Sequence, residues 1–295
     1  MGKDLAEKLD AGEVLLLDGG LGALFIVQGL EPGKAPEWWV LEHPRRVKAA
    51  HRAYVEAGAD IIHTCTFGAS PPKLKDAGMG GRCVEVNGAA VALARAACEG
   101  SATLVGGDIG PTGKLFPPMG DADEASLEAA FEEQVAALVE AGVDLLSIET
   151  MYDLREALAA TRAAARSGLP VFCCMTFDLK KRGFFSMVGD KVGPSVVALA
   201  GAGARAVGFN CSLEAAQMVA LIEEARAAAP AGVAIIAQPN AGQPRATPDG
   251  VVYDADPVHF TARLMEMVRK GAGVVGGCCG TTPDFIRLAR AALDS

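Results

Sequence analysis

The sequence is poor in aromatic residues, in long apolar runs and in positive charge. Aromatic residues make up 5% of its 295 residues. No apolar run approaches the roughly 18 residues that a membrane-spanning helix needs. Lys and Arg total 27 against 36 Asp and Glu, and this formal net charge of −9 disfavours nucleic acids and anionic membranes as partners. The opening stretch MGKDLAEKLDAGE has no apolar signal core, so we expect a soluble cytoplasmic protein.

Cysteine and histidine do not occur in the patterns of a disulfide scaffold or a histidine metal site. Eight cysteines in 295 residues are too sparse for such a scaffold, so we expect reduced thiols. The four histidines do not pair at the spacing of metal ligands. They are His43, His51, His63 and His259. His63 alone lies on a predicted strand, and we interpret it as a barrel histidine whose hydrogen bonds are satisfied.

Short apolar runs that alternate with amphipathic helical stretches dominate the sequence. Each run ends in polar or glycine-rich residues, and helical stretches such as EASLEAAFEEQVAALVEAG end in glycine. Strands that alternate with helices of this length form βαβ units and a parallel sheet. The eight runs are EVLLLDGG (13–20), GADIIHTC (58–65), TLVGGDIG (103–110), VDLLSIET (143–150), PVFCCMTFD (170–178), ARAVGFNC (204–211), VAIIAQPN (233–240) and AGVVGGCC (272–279).

Eight such units predict an α/β protein with one closed (β/α)8 TIM barrel, which we expect to form a single domain over residues 1–295. The alternative is an open doubly wound sheet, but DGGLGA after the first run lacks the G-x-G-x-x-G spacing of a dinucleotide site. Active sites of (β/α)8 barrels lie at the C-terminal ends of the strands. Those ends are Asp18, Cys65, Asp108, Glu149, Asp178, Cys211, Asn240, Cys278 and Cys279.

Two of these strand ends carry cysteines that could share a metal ion. Cys211 ends the sixth run, and the adjacent Cys278 and Cys279 end the eighth, so one strand separates them around the barrel. Neighbouring strand residues point to opposite faces, but the flanking glycines allow the backbone to leave strand geometry. Three thiolates without a fourth describe an open site, and soft thiolates favour zinc. The alternative is a pair of apolar cysteines packed in the barrel.

An open site with three thiolates suits a substrate thiol. A coordinated thiol loses its proton, and the thiolate is the form that attacks. Asp18 and Glu149 end the first and fourth runs, where two carboxylates could hold a substrate ammonium group. Alternatively, these two carboxylates cap helices or contact loops and do not bind a substrate. Together these residues indicate an amino-acid thiol as the substrate.

Nine stretches spread along the whole chain form a recognisable set: LDGGLGA (17–23), AYVEAGADII (53–62), TFGA (66–69), GPTGK (110–114), IET (148–150), TFD (176–178), GFNCS (208–212), QPNAG (238–242) and GGCCGTTP (276–283). These motifs resemble those of the homocysteine S-methyltransferase family, especially the homocysteine-binding barrel of cobalamin-dependent methionine synthase. The resemblance implies a (β/α)8 barrel, zinc (Zn²⁺) bound by Cys211, Cys278 and Cys279, and transfer of a methyl group to homocysteine to give methionine. It also implies homocysteine contacts at Asp18 and Glu149, with Gly19 and Gly20 beside them.

The chain departs from this family pattern in its second run and in its length. Relatives usually have asparagine where this chain has Cys65, and His63 is also atypical. Cobalamin-dependent methionine synthase carries folate- and cobalamin-binding modules after the barrel, whereas this sequence ends at Ser295. We therefore expect the methyl donor to come from a corrinoid protein in trans, or to be a small molecule such as betaine or S-methylmethionine. Another zinc-dependent thiol methyltransferase and a non-catalytic zinc- and thiol-binding subunit are the other interpretations.

Overall fold

The computed structural model describes residues 2–31, 33–243, 245–247 and 250–295. Strands and helices alternate along it, as the sequence pattern predicts. The strands are β1 (Leu15–Leu16), β2 (Ile61–His63), β3 (Leu104–Ile109), β4 (Leu145–Met151), β5 (Val171–Met175), β6 (Asp178–Lys180), β7 (Gly183–Phe185), β8 (Ala206–Glu214), β9 (Ala234–Asn240), β10 (Arg245–Thr247), β11 (Gly250–Val252) and β12 (Ala272–Val275).

Helices connect these strands on the outside of the sheet. None of the helices in the described ranges is long and apolar enough to cross a membrane. The helices are α1 (Gly2–Asp10), α2 (Leu21–Val27), α3 (Glu37–Glu42), α4 (Pro44–Glu56), α5 (Pro71–Asp76), α6 (Cys83–Ala97), α7 (Glu124–Ala141), α8 (Leu154–Ala165), α9 (Val192–Gly201), α10 (Ala215–Ala228), α11 (Pro257–Arg269) and α12 (Pro283–Leu293).

Eight strands form one parallel sheet that curls into a barrel. Their order is β1-β12-β9-β8-β5-β4-β3-β2, and every pairing within it is parallel. A parallel bridge between Leu17 and Ile61 joins the two outermost strands of this order and completes the ring. Each of the eight apolar runs contributes one of these strands. The predicted (β/α)8 TIM barrel is therefore confirmed.

Helix boundaries follow from capping residues in the loops. Asp123, Asp153 and Asp256 precede α7, α8 and α11, and each carboxylate accepts a hydrogen bond from a backbone N–H in the first helical turn. Gly142 ends α7 with a φ of 89°, a left-handed conformation that glycine adopts without penalty. These caps fix where each helix leaves the strand that precedes it, so the loops at the C-terminal ends of the strands keep a defined position.

The core has two layers. Inside the barrel, Leu17, Ile61, Leu145 and Phe172 pack together, and Leu5 of α1 joins them. A larger cluster fills the space between the strands and the surrounding helices. Buried strands with apolar residues on both faces are typical of parallel sheets covered by helices. The apolar interior leaves the polar side chains of the barrel concentrated at its C-terminal end.

Two short antiparallel hairpins were not predicted. The pair β6–β7 follows β5, and the pair β10–β11 follows β9. Asp178 was expected at the end of the fifth barrel strand, but β5 ends at Met175 and Asp178 belongs to β6. Its carboxylate accepts a hydrogen bond from Lys180 at 2.9 Å and is about half exposed. The prediction that Asp178 ends the fifth barrel strand is therefore wrong, because the chain turns into a hairpin before reaching it.

Candidate active site at the C-terminal end of the barrel

A cavity of about 820 Å³ opens at the C-terminal ends of the barrel strands. This is the end at which (β/α)8 enzymes carry their active sites. The structure brings most of the predicted strand-end residues to its wall, whereas Asp18, Asp178 and Asn240 lie off the wall among the described residues. The predicted residues on the wall are Gly19, Gly20, Cys65, Asp108, Glu149, Cys211, Cys278 and Cys279.

Three cysteine sulfurs meet at one side of the cavity. The Sγ atom of Cys279 lies 3.9 Å from that of Cys211 and 4.0 Å from that of Cys278, and all three sulfurs are within 4.8 Å of one another. Three zinc–sulfur bonds of about 2.3 Å in tetrahedral geometry would separate the sulfurs by about 3.8 Å. The cluster thus has the dimensions of a zinc site with three thiolate ligands.

The backbone near the end of β8 and in the loop after β12 is specialised to bring these sulfurs together. Cys211 and Ser212 have φ values of 60° and 50°, a left-handed conformation that is uncommon outside glycine. Cys278 and Cys279 follow the end of β12, so strand alternation does not apply to them. Gly280 after them has a φ of 80°, and a Cβ on Gly277 would overlap the side chain of Thr281. Glycine therefore serves a left-handed turn after the pair and close packing before it.

Hydrogen bonds within the cluster shift the pKa values of the thiols apart. Contacts from Cys278 and then Cys279 lower the pKa of Cys211 to about 3. The contact with Cys211, followed by that with Cys279, raises the pKa of Cys278 well above its ordinary value. Both pKa shifts follow if Cys211 is a thiolate that accepts hydrogen bonds from the thiols of Cys278 and Cys279. Metal binding must displace the remaining thiol protons, so the affinity for metal rises with pH.

Asn210 connects the cysteine cluster to the end of β4. Its Oδ1 accepts a hydrogen bond from the backbone N–H of Thr150 at 2.8 Å, and its Nδ2 donates to Thr150 Oγ1 at 2.8 Å. Nδ2 also lies 3.7 Å from the sulfur of Cys278. Thr150 has a φ of 58°, which is strained for a β-branched residue. Asn210 was not among the predicted site residues, although it stands directly before Cys211 in the GFNCS stretch.

Glu149 presents a carboxylate to the cavity one residue before Thr150. Its Oε1 accepts a hydrogen bond from Gln238 Nε2 at 2.8 Å, and 9% of the residue is exposed. Burial raises the pKa of Glu149, and the charge of His63 opposes this effect. A ligand cation at this carboxylate would therefore stabilise the ionised form.

Asp18 lies behind His63 rather than on the cavity wall. The backbone N–H of His63 donates to Asp18 Oδ2 at 2.9 Å, and the Nδ1–H of its ring donates to Oδ1 at 2.7 Å. On the other side of the ring, Nε2 donates to Ser147 Oγ at 2.9 Å and lies 3.9 Å from Glu149 Oε1. Burial alone would lower the pKa of His63, but Glu149 and Asp18 raise it to about 10. His63 is thus a buried imidazolium between two carboxylates.

The outer part of the cavity carries aromatic and charged residues. Trp38 and Phe67 contribute the rings, and Lys34 and Lys73 contribute cations. The buried carboxylate of Glu37 accepts a hydrogen bond from the backbone N–H of Gly68. A volume of about 820 Å³ is larger than an amino-acid thiol needs and falls in the range of sites for larger ligands. The cavity therefore has room for a second reactant above the cysteines.

The sequence profile of the homocysteine S-methyltransferase family matches residues 15–293. The chain belongs to the homocysteine S-methyltransferase family. Two methionine synthases are similar to it: that of Mycobacterium leprae (strain TN) is 30% identical over 262 residues, and that of Mycobacterium tuberculosis (strain ATCC 25618 / H37Rv) is 31% identical over 262 residues. Each alignment covers 85% of this chain but only 21% and 22% of the respective relatives. The chain thus spans about a fifth of the length of these curated relatives.

Solved structures of a homocysteine methyltransferase have the same fold. The metallated form of MmuM from Escherichia coli superposes with a TM-score of 0.78 at 24% identity, covering 95% of this chain and 96% of that chain. The apo form of the same protein superposes with a TM-score of 0.72 at 23% identity, covering 95% of each chain. These superpositions support the barrel fold of this family member.

Proposed function

We propose that this family member binds zinc and catalyses transfer of a methyl group to the thiol of homocysteine, which yields methionine. The observation that carries the proposal is the cluster of Cys211, Cys278 and Cys279, whose sulfurs lie within 4.8 Å of one another on the wall of the cavity. We further propose that residues 1–295 form one homocysteine-binding domain, since the family match runs over residues 15–293.

The three sulfurs fit zinc in number, spacing and chemistry. Three thiolates leave one position open for a substrate, unlike the four ligands of a structural site. When bound, zinc would hold the substrate sulfur as a thiolate, since a coordinated thiol loses its proton. The amide group of Asn210 contacts the sulfur of Cys278 and ties the residue before Cys211 to Thr150 of β4.

The residues around the cluster suit the amino-acid end of homocysteine. Glu149 presents a carboxylate to the cavity for the ammonium group of homocysteine. Asp18 adds a second carboxylate nearby, on the other side of His63. A Cβ on Gly19 would lie 2.6 Å from Thr281 Oγ1, and one on Gly20 would lie 2.6 Å from the carbonyl oxygen of Cys278. Both glycines therefore let the turn after β1 pack against the cysteine loop and present its backbone to the substrate.

The reaction then needs only positioning and a nucleophilic sulfur. The sulfur of homocysteine forms a bond to the methyl carbon with its own electron pair. The bond between that carbon and the donor breaks, and its electron pair leaves with the donor. The proton of the thiol has already passed to solvent on binding. Glu149 holds the amino-acid end in place, so the sulfur keeps its direction towards the open part of the cavity.

A methyl-corrinoid carried by a separate module or protein is the donor that we favour. The similar methionine synthases are about five times as long as the matched region, so this barrel corresponds to one part of a much longer protein in those relatives. A cavity that is open above the cysteines and larger than homocysteine is consistent with a donor that approaches from outside.

The test is methionine formation from homocysteine with four donors compared side by side. The donors are methylcobalamin, a methyl-corrinoid protein, betaine and S-methylmethionine, and the metal-stripped protein is the control. We expect the corrinoid donors to give rates at least about tenfold above the others, equivalent to about 1.4 kcal/mol in activation free energy. Activity with betaine or S-methylmethionine alone would overturn the donor assignment. Binding of homocysteine without methionine formation from any donor would instead indicate a non-catalytic thiol-binding subunit.

A further inference from the structure

We propose that Asn210 is a positioning residue that acts through Cys278. Its amide donates a hydrogen bond to the Cys278 sulfur and offsets part of the negative charge that gathers when a substrate thiolate joins the cysteine cluster. The inference rests on zinc and homocysteine in the proposed function and adds the group that lets the cluster accept a further thiolate. Asn210 is 1% exposed and lies behind the cavity wall, to which Thr150, Cys211 and Cys278 belong. It therefore acts on the sulfur and not on the substrate.

The orientation of the Asn210 amide is fixed by a group that can only donate. Its Oδ1 accepts a hydrogen bond from the backbone N–H of Thr150 at 2.8 Å. A side-chain amide has an acceptor oxygen on one side and two N–H donors on the other. The group that lies 2.8 Å from Thr150 Oγ1 and 3.7 Å from the sulfur of Cys278 is therefore the NH2 group. One N–H bonds to the hydroxyl, which leaves the second N–H for the sulfur.

The strands place this amide inside the barrel and next to an irregular residue of β4. Asn210 points inward, because Ala206, four residues earlier on β8, packs in the barrel interior. The pairing of β4 with β5 shifts its register between Ile148 and Met151, and Thr150 within this shift has a φ of 58°. A left-handed β-branched residue persists only where its surroundings hold it. Because β5 lies between β4 and β8, the Asn210 amide holds Thr150 from across the inside of the barrel.

Charge is the reason that a donor matters at this sulfur. Three thiolates around a divalent zinc ion carry a net negative charge, and a substrate thiolate adds to it. The lysines of the described cavity wall, Lys34 and Lys73, lie in its outer part, and Lys34 is paired with Glu42 at 2.7 Å. The neutral amide of Asn210 instead lies directly beside the cluster.

A hydrogen bond from the amide draws electron density away from the sulfur that accepts it. Hydrogen bonds to an ionised acceptor are stronger than those between neutral groups. With less charge on Cys278, the repulsion between the cluster and an incoming thiolate is smaller. Groups that hydrogen-bond to metal ligands typically change metal affinity or activity by about tenfold to a hundredfold. Asn210 is therefore placed to favour a substrate that binds through a thiolate over one that brings no charge to the metal.

The test compares homocysteine with homoserine, which has a hydroxyl in place of the thiol. Calorimetry on the zinc-saturated protein measures both affinities for the unmodified chain and for Asn210→Ala. We expect this variant to weaken homocysteine binding by roughly tenfold to a hundredfold and to leave homoserine binding unchanged, because homoserine brings no thiolate. Asn210→Asp is the second variant. Its carboxylate can still accept the N–H of Thr150 but offers the sulfur no donor, so homocysteine binding should weaken at least as much.

The cobalt-substituted protein gives a readout that a purely structural role would not change. A thiolate that loses a hydrogen bond is easier to oxidise, so the sulfur-to-cobalt charge-transfer band should shift to lower energy in Asn210→Ala. Asn87→Ala is the matched control. Asn87 is a buried asparagine whose Nδ2 lies 3.4 Å from the sulfur of Cys83, a cysteine outside the cluster. The control should keep the band and both affinities, even if it lowers the free energy of unfolding.

Three results would overturn the role of Asn210. The first is unchanged homocysteine affinity in both variants. The second is an equal loss of homocysteine and homoserine affinity with an unmoved charge-transfer band, since Asn210 would then only brace the site. The third is loss of zinc from both variants at saturating zinc, since Asn210 would then be needed to assemble the cluster. If the unmodified protein binds no zinc, or binds homocysteine no more tightly than homoserine, the proposed function itself fails, so the two failures are distinguishable.

Discussion

Cys278→Ala should lower the affinity for zinc by at least about a hundredfold and abolish methionine formation. Zinc binding by four ligands is worth about 10–16 kcal/mol in small domains, so one ligand contributes roughly 3 kcal/mol. The sulfur of Cys278 lies 4.0 Å from that of Cys279 and within 4.8 Å of that of Cys211, so its loss leaves two sulfurs for the metal. Zinc content after dialysis and a competitive titration with a chromogenic chelator measure the effect.

Cys65→Ala is the matched control for this experiment. Cys65 is a buried cysteine on the wall of the same cavity but outside the cluster. Burial raises the pKa of this thiol well above its ordinary value, so it is not a ready metal ligand. The control should keep one zinc per chain. Full zinc occupancy with unchanged affinity in Cys278→Ala would contradict the assignment of the three cysteines.

Glu149→Gln should weaken homocysteine binding by roughly tenfold to a hundredfold while zinc is retained. A charge-assisted hydrogen bond is worth about 1.5–3 kcal/mol, and the substitution removes the charge while it keeps the shape of the side chain. The amide oxygen can still accept the hydrogen bond from Gln238, so the local structure should persist. Calorimetric titration with homocysteine measures the affinity, and metal analysis of the same sample measures zinc.

A second buried carboxylate separates this effect from a general loss of stability. Glu156 is fully buried on α8 and accepts hydrogen bonds from Thr112 outside the cavity. Glu156→Gln should leave homocysteine affinity unchanged even if it lowers the free energy of unfolding. If Glu149→Gln binds homocysteine as tightly as the unmodified protein does, Glu149 is not an ammonium ligand.

The barrel was predictable because its strands leave a strong and repeated signal. All eight apolar runs became barrel strands, since parallel strands covered by helices are buried on both faces and read as continuous apolar stretches. The hairpins β6–β7 and β10–β11 leave no such signal. The first of them has strands of three residues, and Leu179 within it is half exposed, so neither length nor burial marks it in the sequence.

The site was predictable in its residue types but not in its hydrogen bonds. The positions of Cys211 and the cysteine pair predicted that the sulfurs would meet, because only one strand separates the two strand ends around the barrel. The contacts of His63 with Asp18 and of Asn210 with Thr150 join different strands. The positions of residues along the sequence do not show which side chain donates a hydrogen bond to which acceptor. The reason for Gly277 was likewise not visible in the sequence. A side chain at this position would overlap Thr281, and that contact exists only in the folded chain.

The central claim is that the substrate sulfur binds at the cysteine cluster as a thiolate. Calorimetric titration of the zinc-loaded protein at pH 7 in buffers of different ionisation enthalpy counts the protons released on binding. Homoserine is the matched ligand, because it has the same ammonium and carboxylate groups with a hydroxyl in place of the thiol. Protons released by the carboxylates of the site therefore cancel in the comparison. We expect homocysteine to release about one more proton per site than homoserine and to bind more tightly. Equal proton counts for the two ligands would contradict it.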